Sequence, residues 1–69
     1  MAADGNANPT NSLERALNVL DLVAHRAEGY TNSELSRKLE IPSSSCSYIL
    51  AKLTRRGYLS RSSDGRYTV

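Results

Sequence analysis

The side chains best equipped for chemistry fall within residues 42–63. There Ser43, Ser44, Ser45 and Ser47 precede Tyr48, Lys52, Arg55 and Arg61, with no acidic residue among them. Hydroxyls donate and accept hydrogen bonds, whereas lysine and arginine only donate. A set of this kind suits an acceptor-rich anionic surface, such as the phosphates and base edges of a nucleic acid. The charge distribution agrees. Residues 1–30 carry two basic and four acidic side chains, a net of −2, and residues 31–69 carry seven basic and three acidic, a net of +4. Charge segregated in this way suggests one half facing a polyanion. The plainer reading is a solvated surface, but a solvated helix usually mixes Glu with Lys. Catalysis fits poorly. A serine triplet with one cysteine, Cys46, and one histidine, His25, does not make a nucleophile with its base and orienting group. Sixty-nine residues also bury too small a core to frame an enzyme pocket, so no enzyme, cofactor or metal site is expected.

Three helices and a hairpin must position these residues. Residues 1–11, rich in Ala, Asn, Gly and Pro, are expected to be a disordered tail, and residues 12–69 a single domain. Asn11 and Ser12 provide a polar start with Glu14 behind it. Leu13, Ala16, Leu17, Leu20, Val23, Ala24 and Ala27 then recur at helical spacing until Glu28-Gly29 stops the first helix. Val19 and Leu22 lie off that stripe. With Ala16 they predict a second apolar seam, open to a partner subunit or buried within the domain. Thr31 and Glu34 form a capping box for a short second helix ending near Leu39 or Glu40. After Ile41-Pro42, Ser43 or Ser44 can cap a third helix running to about Arg56. Its inward stripe is Cys46, Ile49, Leu50 and Leu53, which makes Cys46 a small core residue. Its outward stripe is Ser44, Ser47, Tyr48, Ala51, Lys52 and Arg55. Asp64-Gly65, between strand-like segments 58–61 and 66–69, signals a hairpin.

A short helix joined by a tight turn to a second helix is the helix-turn-helix arrangement, whose second member enters the major groove. Ser12-Leu13-Glu14-Arg15-Ala16-Leu17, Tyr30-Thr31-Asn32-Ser33-Glu34-Leu35-Ser36-Arg37-Lys38-Leu39, Ile41-Pro42-Ser43-Ser44-Ser45, Arg56-Gly57-Tyr58-Leu59 and Asp64-Gly65-Arg66-Tyr67 occur in this order. Together they resemble the N-terminal domain of the IclR family of transcription regulators. The resemblance implies a mainly α fold with a small β-hairpin, a winged helix-turn-helix that binds double-stranded operator DNA as a homodimer. It also implies that a small-molecule effector acts through a C-terminal domain outside these residues, so the chain looks like an isolated domain or a fragment. Two positions depart from the family pattern. Glu40 stands where a glycine is usual, which suggests a reshaped turn, and Tyr48 stands where a basic residue is common.

On this reading Ser43, Ser44, Ser45, Ser47 and Tyr48 face base edges and nearby phosphates, while Lys52 and Arg55 suit phosphates. Ser43 also suits an N-cap, and Ser45 a packing contact toward the second helix. Thr31, Asn32 and Ser33 open the second helix, where free backbone N–H groups favour a phosphate oxygen. Arg61 and Arg66 flank the wing loop and are expected on the backbone or in the minor groove. Arg15 is a weaker phosphate candidate, and Arg37, Lys38 and Arg56 are expected to be solvated or locally paired. A protein-interaction module is the alternative, and an RNA-binding winged helix a third reading. No apolar run approaches the roughly 18 residues of a membrane span, and no signal peptide opens the chain, so the cytoplasm is expected.

Overall fold

The computed structural model describes residues 12–69. The expected tail, and Asn11 as part of the first helix cap, lie outside the described residues. Three helices, α1 (Ser12–Ala24), α2 (Asn32–Leu39) and α3 (Ser43–Arg55), are followed by strands β1 (Ser60–Arg61) and β2 (Tyr67–Thr68). The strands pair antiparallel, Ser60 with Thr68 and Arg61 with Tyr67. This is the expected winged helix-turn-helix. Among the described residues no helix is long and apolar enough to cross a membrane.

The core gathers Val19 and Val23 of α1, Leu35 of α2, Cys46, Ile49 and Leu50 of α3, and the connecting Tyr30, Ile41 and Leu59. Leu35 and Leu50 are completely buried, each worth about 1.5–3 kcal/mol of apolar transfer. The α3 stripe is as expected, with Leu53 packed at its margin. Cys46 is fully buried, its thiol pushed upward by burial, and its Sγ–H faces the Asn32 carbonyl at 3.8 Å.

The first helix corrects two expectations. It ends at Ala24 rather than near Glu28. Short-range bonds from His25 N–H to Leu22 O (3.2 Å), Arg26 N–H to Val23 O (3.3 Å) and Gly29 N–H to Arg26 O (2.9 Å) wind the chain into tight turns instead. Ala24 and Ala27 are exposed accordingly. The buried stripe is also rotated. Val19 is fully buried and Val23 nearly so, with Ala16, Leu20 and Leu22 packed beside them, while Leu13 and Leu17 remain 69% and 50% exposed. The seam expected at Ala16, Val19 and Leu22 is therefore not an open surface, because those side chains cover the domain's own core. A helix apolar on two overlapping stripes leaves the choice to its neighbours.

Helix α2 begins as expected. The Glu34 amide donates to Thr31 Oγ1 (3.2 Å) and the Thr31 amide to Glu34 Oε1 (3.0 Å), completing the capping box. It ends in a Schellman-type turn, with Ile41 N–H on Ser36 O (3.1 Å) and Glu40 N–H on Arg37 O (3.3 Å). Glu40 takes the left-handed conformation itself, φ 56° and ψ 47°. The turn is thus not reshaped by the missing glycine. The Ser36 hydroxyl donates to Ile41 O at 2.7 Å and fastens the turn from its other side.

Candidate nucleic-acid interface

Helix α3 starts differently from expectation. Pro42 is its N-cap residue and no side chain caps it, while the Cys46 amide makes the first helical bond to Pro42 O at 3.0 Å. Ser43 and Ser44 are therefore first-turn residues and not caps. The amides of the first turn have no intrahelical acceptor, and they point from the end of the helix that attracts anions. Ser43, Ser44 and Ser47 are exposed beside them, and Ser45 is half-buried. One turn further, Tyr48 is 63% exposed and the Lys52 ammonium lies 5.4 Å from its ring centre. Every residue of the expected outward stripe is exposed: Ser44, Ser47, Tyr48, Ala51, Lys52 and Arg55.

Two neighbours extend this face. Arg15 of α1 lines a depression with Ser12, Ser44, Ser45 and Tyr48. Its Nε is enclosed and, among the described residues, has no hydrogen-bond partner. At the other end Ala51, Thr54, Arg55, Arg61 and Tyr67 line a concavity of about 360 Å³ between α3 and the wing. Arg61 is exposed, with its guanidinium 5.9 Å from the Tyr67 ring centre. Arg15, the α3 outer face and Arg61 thus form one continuous basic and hydroxyl-bearing surface.

The α2 N-terminus divides. Ser33 is exposed, and the Thr31 hydroxyl is engaged in capping. Asn32 turns toward α3, where its Nδ2 donates to Ser43 O at 3.4 Å and its Oδ1 is enclosed. That side chain braces the two helices against each other.

Arg66, expected on the DNA backbone or in the minor groove, makes contacts within the chain. Its Nη1 donates to Gly29 O at 3.4 Å and to Glu34 Oε1 at 3.3 Å, and its Nε lies 4.0 Å from Asp64 Oδ2. The Thr31 amide first, and the charge of Arg66 after it, hold the Glu34 carboxyl below its ordinary range. Asp64 is likewise held low, chiefly by the Ser62 hydroxyl that donates to it. Spacing gave no sign that residues 29, 34 and 66 meet. Glycine before Tyr30 was the available signal, since a glycine next to a strand-forming residue marks close backbone approach. Elsewhere Arg26 is paired with Glu28 (2.9 Å) and stacked 4.5 Å from the Tyr30 ring centre, while Arg37, Lys38 and Arg56 are exposed.

Comparison with known proteins agrees with this geometry. Residues 12–63 match the family model described as the IclR helix-turn-helix domain. Among solved structures, the chain is similar to the repressor BlcR of Agrobacterium tumefaciens, with a TM-score of 0.74 and 40% identity. That match covers 84% of this chain and 23% of BlcR, so the chain spans less than a quarter of its neighbour's length. A search of curated proteins returns no significant match.

Proposed function

We propose, from the premise that the chain belongs to the IclR family through its helix-turn-helix domain, that it binds double-stranded operator DNA sequence-specifically to control transcription. Helix α3 lies in the major groove with Tyr48 and the Ser43, Ser44 and Ser47 hydroxyls at base edges. Lys52, Arg55 and Arg15 meet phosphates, and Arg61 carries the wing to the backbone or minor groove. The uncapped start of α3 and the exposed start of α2 at Ser33 each offer amides to a phosphate oxygen. The domain works as a binding module rather than an enzyme, in the cytoplasm. Any effector site belongs to segments beyond this domain.

The observation that carries this reading is the α3 outer face, wholly exposed, free of acidic side chains and flanked by Arg15 and Arg61. Its sharpest test is Tyr48→Ala, titrated against a selected operator and a random duplex. Operator affinity should fall by roughly 1–3 kcal/mol while random-duplex binding is spared, because a base-edge contact is lost. Equal loss on both duplexes would make Tyr48 a backbone or packing residue.

Pairing of two copies on the operator is part of the same proposal. What supports it is the exposed pair Leu13 and Leu17, one turn apart on α1. This patch alone is far smaller than a stable interface of roughly 1,200–2,000 Å², so pairing depends on the DNA. The stoichiometry of the saturated complex on a palindromic duplex decides it, with two chains expected and one chain contradicting it.

A further inference from the structure

We propose that Arg66 is a positioning residue, a clamp that sets the wing against the start of helix α2, and not a ligand of the nucleic acid. The inference rests on the DNA-binding reading for its consequence but not for its geometry. A hairpin with two residues in each strand is not stable alone, so something must hold it. Part of the answer is backbone. Tyr30 and Tyr67 exchange both hydrogen bonds, Tyr30 N–H to Tyr67 O at 3.1 Å and Tyr67 N–H to Tyr30 O at 2.7 Å. Gly29 permits that approach, since a Cβ there would lie 2.2 Å from Tyr67 O.

Arg66 supplies the rest. It directly precedes Tyr67, and one nitrogen reaches both Gly29 O and Glu34 Oε1. That same carboxylate oxygen accepts from the Thr31 amide at 3.0 Å. One oxygen and one nitrogen, Glu34 Oε1 and Arg66 Nη1, therefore join the α2 cap, the segment before it and the wing. The Arg66 side chain is 34% exposed, and its nearest acceptors are already protein groups. A phosphate would meet only its remaining N–H groups, against the charges of Glu34 and Asp64. Arg61, on the opposite strand, is exposed, and among the described residues no carboxylate lies within ion-pair distance of it. The two wing arginines therefore divide the work. Arg61 faces outward to the anion, and Arg66 holds the wing at the angle that brings Arg61 there.

Glu34→Gln isolates the charge, because Gln also serves at the third position of a capping box. The 69-residue chain is examined two ways: amide hydrogen exchange of Tyr30 and Tyr67 in the free protein, and affinity for a duplex at several salt concentrations. Arg66→Ala, Arg66→Lys and Glu34→Gln should each speed Tyr67 exchange by several-fold to about tenfold, with α3 core amides unchanged. Lysine should not rescue, because its ammonium ends one bond short of the Arg66 Nη1 that reaches both acceptors. Each variant should weaken DNA binding without changing the salt slope, and Arg66→Ala with Glu34→Gln should be no worse than either alone. Arg61→Ala should instead make the slope shallower by about one. Two outcomes overturn the clamp. One is Tyr67 exchange unchanged in Arg66→Ala. The other is a slope reduced by about one with binding restored by Arg66→Lys. If the parent chain fails to bind DNA at all, the functional reading falls, and the exchange measurement alone still decides the clamp.

Discussion

Glu40 holds the left-handed conformation that glycine adopts freely, and among the described residues no other non-glycine residue has positive φ. An L-residue there costs roughly 1–2 kcal/mol, so the turn between α2 and α3 stores strain. Glu40→Gly should raise stability by about 1 kcal/mol in urea or thermal unfolding, after the extra freedom glycine gains in the unfolded chain. A lower melting temperature would show that the turn is relaxed as it stands. Individual residues were legible from sequence where a periodicity oriented them. Tyr48 stands opposite Cys46 and Leu50 on a helix with one apolar stripe, so its exposure followed from spacing. Asn32 and Arg66 were not legible, because their partners are 11 and 32–37 positions away. Both side chains bond within the chain, Asn32 to Ser43 O and Arg66 to Gly29 O and Glu34 Oε1.

Among the elements, α2, the inward face of α3 and the wing hairpin followed from capping, period and the Asp64-Gly65 turn, and the end and buried face of α1 did not. Helix α1 ends early because Gly29 and Tyr30 are required beside β2, and a longer helix would carry them away from it. Gly29→Ala should therefore damage the wing rather than extend α1. The added carbon would meet Tyr67 O at 2.2 Å and Thr68 Cγ2 at 2.7 Å, at a φ of 78°. A loss of more than about 2 kcal/mol is expected, combining backbone strain with displaced packing. Unchanged stability in urea unfolding would contradict the close approach. Acid should loosen the same element. Glu34 is held low by the Thr31 amide and then Arg66, and Asp64 by the Ser62 hydroxyl. Groups depressed on folding contribute stability that is fully present above their unfolded values and lost as pH falls through the lowered folded ones. Melting temperature should therefore decline below the ordinary carboxylate range, and Asp64→Asn should flatten part of that decline. An identical acid profile in the variant would remove Asp64 from the account.

At the scale of the whole molecule, charge separates the first half of the chain from the second. The α1 half is net acidic and presents Leu13 and Leu17, while α3 and the wing present the basic and hydroxyl-bearing surface. That division was visible in composition alone. Which apolar residues of α1 stayed outside was not, since only packing against α2, α3 and β2 selected Val19 for the core. The central claim is that this basic face is built for a polyanionic duplex, and the salt dependence of binding tests it most directly. With Arg66 clamped, Arg15, Lys52, Arg55 and Arg61 remain to neutralise phosphates. Titrating the chain against duplex DNA across a range of salt should give a slope of log K on log salt near −3 to −4 per chain, at about 0.9 per neutralised phosphate. A slope near zero would remove DNA as the partner of this face.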